Sequence, residues 1–278
     1  MSKPQTLSII ACGKVGQTLA RLWVQHSAIQ LQDILNTTIA SSTRAVAFIG
    51  AGRVASDYAD LQAADIFLIA APDDQIASCC NALANSGRLS AGNIVFHCSG
   101  ALPASILASA SRQGAAVASV HPIRSFAAPE KVVADFAGTY CGVEGEQAAL
   151  DVLQPLFKAI GAQTVTIHGD NKVLYHAGAV FASNYLVTLM DTAVQAYGKA
   201  GIPPDVALKM MAALVRETTE NVLQLGSERA LTGPIARGDV ATVVRQYRAV
   251  NEWDQRYGRL YKQMGKLTAQ LVKRREKK

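Results

Sequence analysis

The sequence predicts an α/β fold, a doubly wound and mostly parallel sheet, followed by an all-α domain, and three observations predict it. Short β-type runs alternate with helical stretches as far as His168. Two of those runs, "DIFLIA" and "NIVFHC", are apolar nearly throughout, as strands covered on both faces must be. From Lys172 to Lys273 only helical periodicity remains, broken at "GIPPD" (201–205) and "TGPIARGD" (232–239). Residues 1–168 are therefore expected to form the sheet domain and residues 169–278 the helical one.

Taken in order, the strand candidates are "TLSIIA", "DILNTTI", "ADIFLIAAP", "NIVFHCSG", "AAVASVHP", "GTYCGV" and "QTVTIHG". Helical text between them covers both faces of a parallel sheet. In the second domain, Gly201 suits the left-handed residue that ends a helix, and Pro203-Pro204 cannot continue one but can start the next.

With 278 residues, half of them hydrophobic and 17% charged, the chain can bury the cores of two domains. It shows no run of about 18 apolar residues and no signal-peptide pattern at "MSKPQTLSII", so a cytoplasmic location is expected. The five cysteines have no metal-ligand spacing and read as reduced, mostly buried thiols; no metal site is expected. The C-terminal "KRREKK" carries a net four of the chain's six positive charges, and a solvated helix end explains it, so neither nucleic acid nor membrane is an expected partner.

The first strand runs into "ACGKVG" (11–16), a turn with two of the three glycines of a dinucleotide fingerprint. Gly13 allows backbone to approach a pyrophosphate, Gly16 allows close packing of helix on strand, and Lys14 and Val15 open the helix whose positive end an anion wants. Ala11 stands where the tight turn normally has glycine, which it can do if its φ stays negative. "GAGRVA" (50–55) spells the pattern better but is followed by only a short helical stretch, "SDYADLQAA". Position at strand one favours Ala11–Gly16, the arrangement of a Rossmann fold.

Beyond the second strand come Asn36, Thr37 and Thr38, then Ser41, Ser42, Thr43 and Arg44. An acidic residue there would hold the ribose of NAD; hydroxyls and one cation suit the 2′-phosphate of NADP. A helix cap by Thr38 or Ser41 is the other reading. Ala71, Pro72 and Ser99, at the ends of later strands, complete the expected cofactor set.

Seven landmarks in order, the strand-one turn, "FIGAG", "PDDQI", "HCSG", "HPIRSF", "YHAGAVFASNYL" and "TGPIARGD", resemble those of a bacterial family of Rossmann-like proteins with a C-terminal helical domain of unknown function, DUF2520. That family is similar to the 6-phosphogluconate-dehydrogenase-like reductases, among them pyrroline-carboxylate reductase, ketopantoate reductase and prephenate dehydrogenase. The resemblance implies NADP-linked redox chemistry on a small-molecule substrate and a homodimer built through the helical domain. Ala11 in place of the first glycine, and Thr37 in place of an arginine beside the 2′-phosphate, depart from the family pattern.

Candidates for chemistry are few. On one continuous helix from Lys172, a step of 100° per residue puts Ser183 at about 20°, His176 at about 40° and Asn184 at about 120°. Lys172, His176 and Ser183 would then share a face with Asn184 at its edge, with Lys172 and Ser183 toward the substrate. Related reductases carry a lysine and an asparagine on this helix, which implies His176 as proton donor and Asn184 as orienter. His121 ends a strand before Pro122, where ligands sit in such sheets, and resembles the "HP" of prephenate dehydrogenases. Arg237 could clamp a substrate carboxylate near Asp239, or the two could pair to tie their loop. His176 reads equally as a core histidine and His121 as a turn histidine; His26, His97 and His168 read as structural. The expectation is an NADP-dependent oxidoreductase acting on a small carbonyl, imine or hydroxy compound. A non-catalytic NADP-binding sensor and a prephenate-dehydrogenase-like enzyme stand as alternatives.

Overall fold

A computed structural model describes residues 4–276 and divides into two compact units, Met1–Val180 and Phe181–Lys278. The last two residues of "KRREKK" lie outside the described range; the others close the final helix.

The first unit holds β1 (Thr6–Ile10), α1 (Lys14–Gln25), β2 (Gln30–Leu35), α2 (Ile39–Ile49), β3 (Arg53–Val54), β4 (Ile66–Ile69), α3 (Asp73–Asn85) and β5 (Ile94–His97). It continues with α4 (Ala108–Ser111), β6 (Ala116–Pro122), α5 (Pro129–Ala134), β7 (Tyr140–Gly145), α6 (Gln147–Ala159), β8 (Gln163–Thr166) and the start of α7 (Lys172–Ala182). The eight strands form one sheet in the order β3-β2-β1-β4-β5-β6-β7-β8. All pairs are parallel except β6 with β7, which places His121 opposite Gly142. β4 and β5 are buried at every position, as their apolar runs require. The winding reverses between β1 and β4, and that switch point opens a crevice at the carboxyl ends of the strands.

Helices cover both faces. On one, Trp23 of α1, Phe96 of β5 and Phe157 of α6 meet edge to face with centroids 5.2 to 6.4 Å apart, and the Trp23 indole N–H donates to the Leu156 carbonyl at 3.0 Å. Burying each ring contributes about 1.5–3 kcal/mol.

"GAGRVA" has a different task from the one its spelling proposes. Gly50 is the left-handed cap of α2, Gly52 has φ +92°, and Arg53–Val54 is the short edge strand. The helix expected in "SDYADLQAA" does not form, because the polar groups there are engaged in loop contacts. The Asp60 carboxylate accepts from the Ser56 amide and from Arg53, and buried Asp33 accepts from Arg53 and from the Gln62 amide at 2.6 Å.

The first compact unit runs past the expected division at 168/169, since α7 begins with Lys172, a side chain with no exposed surface, inserted into the sheet layer. The helix expected to carry Lys172 through Asn184 is broken: Ser183 leaves helical geometry (φ −121°, ψ −72°), and α8 (Asn184–Lys199) starts anew. The stretch Gly169–Lys199 is, by length and composition only, long and apolar enough to cross a membrane.

The second unit continues with α9 (Pro204–Leu225), α10 (Ser227–Ala230), α11 (Val240–Trp253) and α12 (Gln255–Glu276). Gly201 takes φ +88° and Pro204 opens α9, as the break "GIPPD" predicts. Trp253 and Tyr257 stack at 4.5 Å. Large apolar side chains stay exposed here, Leu223 at 82% and Phe181 at 67%.

Candidate functional site

The turn after β1 is drawn tight by three bonds. The Ala11 amide donates to Leu35 O at 2.7 Å, the Gly13 amide to Ala11 O at 2.8 Å, and the Cys12 amide to the Asn36 side-chain oxygen at 2.5 Å. Ala11 does not keep a negative φ: it stands at +56°, in the left-handed region where a Cβ is strained. The pull of Leu35 and Gly13 on its two peptide groups fixes it there. Gly13 and Gly16 stand in different surroundings. A Cβ on Gly13 would have only Ala11 O nearby, at 4.0 Å, so its surroundings are open, whereas one on Gly16 would stand 3.0 Å from the Ala70 Cβ and 3.3 Å from the Cys12 sulfur. No side chain caps the start of α1 and its first turn has no acid, an arrangement that fits a phosphate-bearing ligand. Lys14 donates to Ala127 O at 2.8 Å, and Val15 lines a cavity described below.

Beyond the ends of β1 and β2 lies a cavity of about 260 Å³ lined by Ala11, Asn36, Thr37, Asp57 and Tyr58 among others. Several of the hydroxyls expected to meet a phosphate are spent on the helix. Thr38 Oγ1 accepts from the Ser41 amide as the cap of α2, and Ser42 Oγ accepts from the Asn36 amide at 3.0 Å. Thr37 and Arg44 remain exposed.

A second cavity, of about 240 Å³, opens at the carboxyl ends of β4, β5 and β6, where Val15 and Ala71 face Ser99, Gly100, His121 and His176. The rings of His121 and His176 lie 5.6 Å apart at 78°. Gly100 sits between them: an added Cβ would stand 2.5 Å from His176 Nδ1 and 2.8 Å from both Cε1 and Nε2 of His121. His176 Nδ1 is buried with no hydrogen-bond partner among the described residues. His121 Nδ1 is 2.9 Å from the Tyr175 hydroxyl. Burial, then the neighbouring His176 and Lys172, push the His121 pKa down to about 4, so the ring is neutral at pH 7. Burial raises the pKa of the Cys98 thiol in the same wall. Pro72 precedes α3 as its N-cap.

Lys172 does not line this cavity, contrary to its expected role toward substrate. Its ammonium donates to Ser99 O at 2.9 Å and to the Ser119 hydroxyl, with Glu144 at 3.6 Å. Burial lowers its pKa and Glu144 opposes the shift. Glu144 also accepts from the Ala104 amide at 2.6 Å. The Ser99 hydroxyl is held by turn chemistry, accepting from the amides of Ala101 and Leu102 at 3.1 and 3.0 Å. His97 is structural as expected, bonded through both nitrogens to Ser99 N and Pro103 O, and burial followed by the Lys172 charge lowers its pKa to about 4.

The remaining candidates belong to the second unit. Ser183 is the break before α8 and Asn184 its first residue, both exposed, so neither shares a helical face with Lys172 and His176. Asp239 caps α11, accepting from the Thr242 amide at 3.0 Å, and that bond holds its carboxyl below the usual range. Arg237 makes no ion pair with it among the described residues; its amide donates to Gly233 O. Tyr175, Glu144 and Tyr58 escaped sequence reasoning. Only Tyr175 had a signal, its place beside His176 in "YHAGAV".

Residues 3–122 match the model of the Rossmann-like domain, and residues 139–268 match DUF2520, a domain of unknown function. The two matches follow one another along the chain and together take up most of it. Its DUF2520 match starts at β7, so the domain contributes two strands as well as helices. No curated protein matches the chain. Among solved structures it is similar to protein TM1727 from Thermotoga maritima (23% identity, TM-score 0.78, 97% of this chain and 99% of that one). It is also similar to BF3122 from Bacteroides fragilis (17%, 0.77, 96% and 98%). A third is the imine reductase from Myxococcus stipitatus in complex with NADP+ (15%, 0.63, 98% and 94%). At these identities the likeness is one of fold.

Proposed function

We propose that this protein is an NADP-dependent oxidoreductase that moves a hydride to or from a small imine, carbonyl or hydroxy compound. The observation that carries the reading is the convergence of His121 and His176 on Gly100, in a cavity whose opposite wall is Val15 of the glycine turn. The cofactor, when bound, supplies or takes up the hydride. His121, neutral at pH 7, polarises the substrate heteroatom by hydrogen bonding, and His176 exchanges a proton with it. The fold shared with an imine reductase that binds NADP+ supports the reading. Arg44, exposed on α2 beyond a strand end without an acidic residue, is the proposed contact to the 2′-phosphate.

The helical unit is proposed to form a homodimer interface. Exposed Phe181, Val187, Leu214 and Leu223 support it, because monomers seldom leave such apolar faces in water.

The test is titration with NADPH and NADH, followed by cofactor oxidation with a panel of cyclic imines and 2-oxo acids. Binding of NADPH that is lost in Gly13→Asp and weakened in Arg44→Ala, with turnover lost in His176→Ala, is the expected result. Tight NADPH binding with no turnover across the panel would favour a sensor, and a preference for NADH would overturn the 2′-phosphate contact of Arg44.

A further inference from the structure

The Tyr175 hydroxyl meets two groups. It lies 2.9 Å from His121 Nδ1 and packs directly against the backbone of Gly142. The contact is possible because residue 142 is glycine: a Cβ there would collide with the phenol oxygen. Antiparallel pairing of β6 with β7 sets Gly142 directly opposite His121, so the group that binds the hydroxyl and the glycine that makes room for it come from one rung of the sheet.

A phenol has one proton and two lone pairs. The phenol proton needs an acceptor, and His121 Nδ1 is the one hydrogen-bond partner of the hydroxyl among the described residues. Burial keeps that proton on, raising the Tyr175 pKa to about 12. We propose that Tyr175 is a positioning residue that donates to His121 Nδ1 and so fixes the tautomer with its proton on Nε2. Nε2 is the nitrogen that faces Gly100 and the cavity. The device gives the cavity a neutral N–H donor rather than a lone pair, which is what a developing negative charge on a substrate oxygen or nitrogen requires. The neighbouring His176 and Lys172 disfavour a second proton on the ring. The catalytic consequence rests on the oxidoreductase reading; the tautomer does not.

The test is two-bond proton–nitrogen correlation on the full-length protein labelled at histidine, with His121 assigned by its loss in His121→Gln. Wild type should show His121 protonated at Nε2 alone at pH 7. Tyr175→Phe, which keeps the ring, should shift it to a mixture containing Nδ1–H while the His97 pattern stays fixed. A wild-type ring protonated at Nδ1, or a Tyr175→Phe ring with an unchanged tautomer, overturns the proposal. The wild-type spectrum decides even if the variant does not fold. On the activity side, kcat should fall about tenfold with the KM for NADPH unmoved. A shifted tautomer with kcat intact would leave Tyr175 as positioned and refute His121 as a catalytic group, so the two failures are separable.

Discussion

The Lys172 ammonium, fully buried, donates to the carbonyl oxygen of Ser99 at 2.9 Å. That bond joins the first turn of α7 to the strand end that shapes the histidine cavity. Removing the cation leaves the Glu144 carboxylate, 3.6 Å away and mostly buried, with the Ala104 amide but no opposite charge. Lys172→Met should therefore destabilise the first unit by about 3 kcal/mol, and Lys172→Met with Glu144→Gln should recover part of it. Urea unfolding followed through buried Trp23 measures this, provided Trp253 is replaced. An unchanged midpoint would mean that the ammonium is not an anchor.

Gly100 has no room for a methyl group between the two histidines. Gly100→Ala should lower kcat by about a hundredfold, the scale of a one-ångström displacement of catalytic groups. NADPH affinity should change little, since the glycine turn lies on the opposite wall. Steady-state kinetics beside a direct binding titration separates the two.

Ala11 is held at φ +56°. Ala11→Gly should raise stability by about 0.5–1 kcal/mol, the strain relieved exceeding the added freedom of the unfolded chain. Ala11→Val should lower it by about 2 kcal/mol, because a β-branched residue fits that region worse. Thermal unfolding of the three proteins gives the order directly.

His97 and His121 have pKa values of about 4, below the 6.5 of an unperturbed histidine. Between pH 6.5 and 4 the unfolded chain binds more protons than the folded one, so stability decreases as pH falls through that window and is unaffected by these groups above it. Melting temperatures from pH 7.5 to 4.5 should show the decline, and His121→Gln should make it shallower. A flat profile would place both rings in water.

The sheet was legible because its strands are apolar runs of the right length, and "LSIIACGKVG" was legible because its position at strand one outweighs the missing glycine. "GAGRVA" could be set aside for the same reason. What sequence could not reveal came from tertiary bonds. Ala11 takes its sign of φ from Leu35 and Gly13, the hydroxyls of Thr38 and Ser42 are consumed by α2, and Lys172 is drawn inward by Ser99, Ser119 and Glu144. A helical wheel assumes an unbroken helix, and Ser183 breaks this one, so Asn184 lost its assigned face. Tyr175 was invisible because Gly142, which makes room for it, is 33 positions away and the two meet only through the pairing of β6 with β7.

That pairing makes strand alignment a condition of chemistry. A slip of β7 by one residue would bring the side chain of Cys141 or Val143 under the phenol in place of bare backbone. A misaligned chain could still bury its core and look folded, yet the imidazole at the mouth of the sheet would lose its orienting neighbour. Correct registration at one rung of the sheet is thus inspected by the site itself, and a population with mixed alignment would reveal itself as inactive molecules of normal stability.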